Sequence, residues 1–229
     1  MSRLNDGDSM HGSFSGELRQ ATQELHRTAE RAGIMPMLLL GSLPESAYIG
    51  LLRNLHGVYS ALENALRLHE GNAIVGPVTM PALFRADALA RDLAILGGQD
   101  WGQRFGLASA GAAYVDHLFD ISNRSPELLV AHAYVRYLGD LSGGQALRRI
   151  RGRAGGAAAS AVHFYDFGSA QEVAILAQRF REGLDSIVAS AELLISIKTE
   201  ACDAFGRHIE LFEELDVFAG APKFQSAAS

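Results

Sequence analysis

Two short stretches carry side chains spaced for chemistry. The first is Leu25-His26-Arg27-Thr28-Ala29-Glu30. Its histidine and its one acid stand four residues apart, so on a helix they share one face and the Glu30 carboxylate can reach the His26 ring. An acid in that position sets the tautomer of an imidazole and raises its basicity, the arrangement expected of a metal-ligating histidine. The chain holds eight histidines, at positions 11, 26, 56, 69, 117, 132, 163 and 208. His26 has the pattern of a ligand; His56 and His132 read as structural.

The second stretch is Ala131–Gln145, AHAYVRYLGDLSGGQ. Good helix formers flank Gly139, Gly143 and Gly144, each of which costs roughly 1 kcal/mol relative to alanine inside a helix. Something must offset about 3 kcal/mol by that scale. Gly139 and Gly143 share a face, with Asp140 and Gly144 beside them and Arg136 one turn back. The spacing predicts a bent helix with a bare strip of backbone, edged by a carboxylate and a guanidinium. Such a strip admits either a second helix or a large flat molecule. Asp140 on it can pair with Arg136 or anchor ordered water for proton delivery.

The string YLGDLSGGQ, the string LHRTAE and the later Leu211-Phe212-Glu213-Glu214-Leu215 together resemble the haem oxygenases, over roughly residues 17–217. The resemblance implies an all-α, single-domain fold that sandwiches haem between a proximal and a kinked distal helix. It implies that His26 binds the iron with Glu30 behind it. It places Asp140, Arg136, Tyr59, Gly139 and Gly143 in the distal catalytic network, although Tyr59 also lies on an apolar stripe and suits core packing. It adds Met35, Tyr134, Gly144 and Phe205 as haem contacts, and Arg19 and Arg179 as anchors for the propionates. Two other basic positions of the family are Gln23 and Ile175 here. The reaction implied is cleavage of haem, both substrate and cofactor, to biliverdin (the α isomer), carbon monoxide and ferrous iron. Dioxygen and electrons from a ferredoxin or a nicotinamide-dependent reductase are required, since the chain has no flavin or nicotinamide fingerprint of its own. A haem carrier or sensor without turnover is the alternative; it needs the pocket and His26 but not Asp140.

The positioning elements follow from periodicity. Leu18, Ala21, Leu25, Ala29 and Ala32 predict a helix over 17–32 with Ser15 as its cap and Gly33 at its end. Ser42-Leu43-Pro44-Glu45 reads as a capping box. It precedes a long helix to about Glu70 whose inward stripe is Tyr48, Leu51, Leu52, Leu55, Tyr59, Leu62 and Leu66. Further helices are expected over 82–96, 109–122 and 125–152. Two more follow a capping box at Ser169–Glu172 and a cap at Ser190. No stretch alternates with period two, so the fold class is all-α, with seven or eight helices. Residues 1–14 and 220–229 read as loose polar tails around one domain over 15–219.

Composition narrows the partners. The net charge of −6 does not recommend nucleic acid or an anionic membrane. Within this acidic chain, Arg148, Arg149, Arg151 and Arg153 cluster at a helix C-terminus. The helix dipole accounts for such a cluster, and so does docking of an acidic electron donor. One cysteine, Cys202, excludes an internal disulfide and suits a reducing, cytoplasmic setting. No secretory leader or membrane span is expected.

Overall fold

The computed structural model describes residues 12–153 and 159–219. It is all-α. Ten α-helices are present among the described residues: α1 (Phe14–Ala29), α2 (Met35–Leu40), α3 (Glu45–Leu68), α4 (Ala86–Gly97), α5 (Trp101–Arg104), α6 (Ser109–Arg124), α7 (Leu129–Ala133), α8 (Gly139–Gly152), α9 (Ala170–Asp185) and α10 (Ala191–Ala219). The excess over seven comes from the short α2 and α5 and from the division of the central helix into α7 and α8. Most of the expected tail positions, 1–11 and 220–229, lie outside the described residues, as do 154–158.

Helix α3 is the centre of the packing and touches α4, α6, α7 and α10. Its expected stripe is buried throughout: Tyr48, Leu52, Tyr59, Leu62 and Leu66 are fully inaccessible and Leu51 and Leu55 nearly so. Each such side chain stabilises the fold by about 1.5–3 kcal/mol. Helix α1 lies on α10 and, more lightly, on α9.

Local chemistry decides the helix ends, and two differ from the sequence reading. Helix α1 starts earlier than expected, with Ser13 as the cap accepting from the Gly16 amide. Ser15 serves a long-range contact: its amide and hydroxyl donate to the Asp185 carboxylate at 2.8 and 3.1 Å, pinning α1 to the end of α9. The Ser42 capping box does not form. Pro44 occupies the cap position of α3 and Glu45 is its first residue, so neither Ser42 nor Glu45 has the register a box requires. Ser169 and Glu172 do form their box, and Ser190 accepts from the Leu193 amide.

Gly33, expected at the end of α1, sits four residues beyond it at φ +45°, and a Cβ there would fall 1.9 Å from the Phe212 carbonyl oxygen. The next amide, of Ile34, donates to that same oxygen at 3.2 Å. Glycine is therefore required both for the left-handed backbone and for the close approach to α10.

Candidate active site

Between α7 and α8 the backbone runs for one π-helical turn, Tyr134–Leu138. This π-turn, rather than the glycines, interrupts the regular distal helix. Gly139 itself has ordinary right-handed helical angles, φ −61° and ψ −48°. Such a turn inserts one residue into the helical register and re-aims the side chains around it. What the glycines supply is space: a Cβ at Gly139 or Gly143 would meet nothing within 4 Å. Gly144, the next residue, is buried, and a Cβ there would make an ordinary contact with Tyr165 at 3.8 Å.

The first wall of the site is α1. The Thr22 and Tyr134 hydroxyls hydrogen-bond at 3.2 Å and tie α1 to the π-turn. His26 stands one turn beyond Thr22 on α1, and Gly139 five residues beyond Tyr134 on the distal helix. The His26 side chain is half exposed, with Nδ1 3.7 Å from the Glu30 carboxylate. That distance exceeds a direct hydrogen bond and suits a bridging water or a small approach on ligation. Nε2 is thus the nitrogen left for a metal. The buried Phe205 of α10 meets the His26 ring edge-on at 5.9 Å. Met35, partly buried at the start of α2, packs against the core edge.

On the distal wall three side chains form a closed polar set. The Tyr59 hydroxyl donates to Asp140 Oδ2. Arg136 Nε donates to the Tyr59 oxygen at 2.9 Å and Nη2 to Asp140 Oδ1 at 3.0 Å. Burial raises the Asp140 pKa above its ordinary value; the Arg136 charge and the Tyr59 hydrogen bond pull the other way without cancelling it. Burial would lower Arg136, but the proximity of Tyr59 and Asp140 outweighs it and keeps the guanidinium charged. Tyr59 is pushed well above its usual range, first by burial, and stays a neutral donor. The result is a carboxyl of raised proton affinity, fixed by a permanent cation and a phenol at the edge of a cleared backbone.

A further polar string continues inward from this set, and the sequence reading missed most of it. Arg136 Nη1 lies 3.2 Å from His208 Nε2, which lies 3.5 Å from the Tyr114 hydroxyl. Tyr114 is 2.8 Å from Nδ1 of His132, whose Nε2 meets Glu200 at 2.9 Å. The structural reading of His132 holds: it is completely inaccessible and hydrogen-bonded at both nitrogens. His208 had a legible signal. With Phe205 and Phe212 it follows an i, i+3, i+7 pattern, which places it on the buried face of α10.

One basic assignment needs correction, that of Arg151. Arg19 and Arg181 are the arginines whose charge reaches the Tyr134 phenol. Arg179 is two residues from Arg181, about 200° around α9, and exposed on the other flank of the buried Phe180. Arg179 is exposed, as are Arg19, Gln23 and Ile175, while Arg181 is half-buried. Arg151 is not available to a docking partner. It is buried, with its guanidinium stacked 3.7 Å from the centre of the Tyr48 ring. Arg148 is engaged with Asp166 at 2.8 Å, which leaves Arg149 and Arg153 as the exposed pair.

An acid-backed, half-exposed histidine on one helix thus stands beside a distal helix with a bare backbone strip and a buried carboxylate, within an all-α fold. The comparisons identify the family. The family model described as heme oxygenase matches residues 12–214. The heme oxygenase of Porphyra purpurea is 38% identical over 208 residues, 90% of this chain and 88% of its own. Heme oxygenase 1 of Synechocystis sp. is 33% identical over 207 residues, 90% of this chain and 86% of that one. Among solved structures, heme oxygenase-1 from Synechocystis in complex with heme superimposes with a TM-score of 0.83 at 32% identity, covering 90% of this chain and 94% of that chain. Heme oxygenase-2 of the same organism, in complex with heme and NO, gives a TM-score of 0.85 at 34% identity, covering 90% and 86%. The chain belongs to the heme oxygenase family, whose reaction is haem cleavage.

Proposed function

We propose that this chain binds haem through His26 and cleaves it to biliverdin, carbon monoxide and ferrous iron, using dioxygen and externally supplied electrons. The observation that carries the reading is the buried Tyr59–Arg136–Asp140 set beside the open backbone of Gly139 and Gly143. A carrier or sensor has no need of a desolvated carboxyl held by two donors, and keeping one buried is costly.

The residues fit haem in type and placement. His26 Nε2 would hold the iron while Glu30 orients the ring through Nδ1. Gly139 and Gly143 allow the distal backbone to lie over a flat ring. Phe205, Tyr134 and Met35 would contact its faces and edges, and Arg19 and Arg179 would hold its propionates. When bound, haem supplies an iron centre that activates dioxygen. Asp140 is kept off that centre by its bonds to Arg136 and Tyr59, so it acts through water, holding and releasing a proton at Oδ1 or Oδ2. Burial raises its proton affinity, which favours holding a proton there.

Electrons come from a separate ferredoxin or reductase, for which Arg149 and Arg153 offer the exposed basic surface near the end of α8. No helix among the described residues is long and apolar enough to cross a membrane. A cytoplasmic location accords with that and with the single cysteine, Cys202.

The test is turnover. Haemin is added to the chain, followed by ascorbate or a ferredoxin system under air. Loss of the Soret band with the appearance of a bilin is expected; a stable haem complex with no bilin would favour a carrier or sensor.

A further inference from the structure

His117 of α6, His132 of α7 and Glu200 of α10 converge below the distal wall. Their nearest ligand atoms, two imidazole nitrogens and one carboxylate oxygen, all lie within 4.8 Å of one another. His117 Nε2 is 2.5 Å and His132 Nε2 2.9 Å from the same oxygen, Glu200 Oε1. The rings meet edge to face at 63°, so both nitrogens point at one spot without stacking. The cluster has a closed side and an open side: the His132 side chain is inaccessible, Glu200 is 10% exposed and His117 22%. The distal chemistry does not require His117 or Glu200.

We propose that His117, His132 and Glu200 form a binding site for a divalent metal ion of the zinc class. Two imidazoles and one carboxylate are a zinc donor set, with water as fourth ligand on the open side. Ligand bonds of about 2.1 Å in a tetrahedron separate donor atoms by about 3.4 Å. The nitrogens must therefore back away from Glu200 by less than about 1 Å, and His117, the most exposed of the three, has room to do so.

The outer contacts also fit. A metal on His132 Nε2 obliges Nδ1 to carry the ring proton, and the Tyr114 oxygen 2.8 Å away accepts it. That is the orienting partner a metal-bound histidine ordinarily has. The ion would cross-link α6, α7 and α10.

The binding also has a defined reach into the catalytic set. In the metal-free state His132 donates from Nε2 to Glu200, so its Nδ1 accepts the Tyr114 proton. With metal bound the tautomer reverses, and the Tyr114 hydroxyl turns its proton toward His208, the neighbour of Arg136. The ion thereby alters a hydrogen bond to the cation that holds Asp140.

Zinc chloride is titrated calorimetrically into the haem-free full-length chain, and into His117→Gln and His26→Ala variants, with far-UV circular dichroism confirming the fold of each. One equivalent should bind to the wild type and to His26→Ala. His117→Gln should weaken binding by about 100-fold or more, since loss of a mere outer partner already costs 10–100-fold. Zinc should also raise the melting temperature of the wild type and convert His132 to the Nδ1–H tautomer in nitrogen-15 spectra. Absence of stoichiometric binding, binding lost in His26→Ala instead, or unchanged affinity in a folded His117→Gln would each overturn the proposal.

Discussion

Removing the Asp140 carboxylate should do two separable things. The guanidinium of Arg136 has only 12% of its side chain exposed, and Asp140 supplies its counter-charge at 3.0 Å. In Asp140→Ala that charge stays buried without its partner, a loss of about 3–5 kcal/mol. Water can approach Arg136 from the open glycine side, so the lower end applies, about 3 kcal/mol. For a domain of this size that corresponds to a fall in melting temperature of about 6–12 °C. Asp140→Asn keeps an oxygen for Arg136 and trades charged hydrogen bonds for neutral ones, costing about 1–1.5 kcal/mol. The double variant Asp140→Ala, Arg136→Met removes both charges and should be no less stable than Asp140→Ala alone. Urea unfolding of the haem-free chain, followed by circular dichroism, measures all of these. In turnover assays both Asp140 variants should still take up haem yet form little bilin, because the proton-holding group is gone while His26 and the glycine strip remain. An Asp140→Ala variant within about 0.5 kcal/mol of wild type, or one with normal bilin yield, would refute the coupling of charge, burial and chemistry described here.

Three further outcomes follow from particular contacts. Glu63, 1% exposed, caps α4 from α3 by accepting from the Arg85 and Ala86 amides; burial raises its pKa from 4.5 to about 7. A raised folded pKa means that its stabilising contribution is complete below pH 4.5 and is lost as the pH rises through 7, by about 3 kcal/mol. Glu63→Gln should flatten the decline of stability between pH 5 and 8, and a slope identical to wild type would contradict that. Arg179→Ala should loosen the propionates and yield a mixture of biliverdin isomers, and pure α isomer at the wild-type rate would mean that Arg179 is no anchor. A charged hydrogen bond of about 1.5–3 kcal/mol is enough to set a tenfold preference, and chromatography of the products measures it. Haem reduction by a ferredoxin should slow with salt and in an Arg149→Glu, Arg153→Glu variant; rates indifferent to both would leave the helix dipole as the reason for the cluster.

The positions of the main helices and the two walls of the site were legible because each is written in local spacing. The stripe from Tyr48 to Leu66 repeats at helical period, His26 and Glu30 stand four apart, and the glycine strip announces itself by violating helix propensity. What was illegible depends on partners remote in sequence. Ser15 looked like a cap, but Asp185 claims it. Arg151 looked exposed in a basic run, but the Tyr48 ring covers it. The π-turn has no side-chain signature, and the meeting of His117, His132 and Glu200 requires three separate helices to pack first.

The most direct measurement is the spectrum and turnover of haem-loaded His26→Ala with and without added imidazole, beside the wild type. The wild type should convert haem to a bilin on reduction under air. His26→Ala should show an altered Soret band and no bilin, and imidazole filling the vacated ligand position should restore the band and part of the turnover. An unchanged spectrum with full bilin formation in His26→Ala would contradict iron binding by His26 and, with it, the placement of haem between α1 and the distal helix.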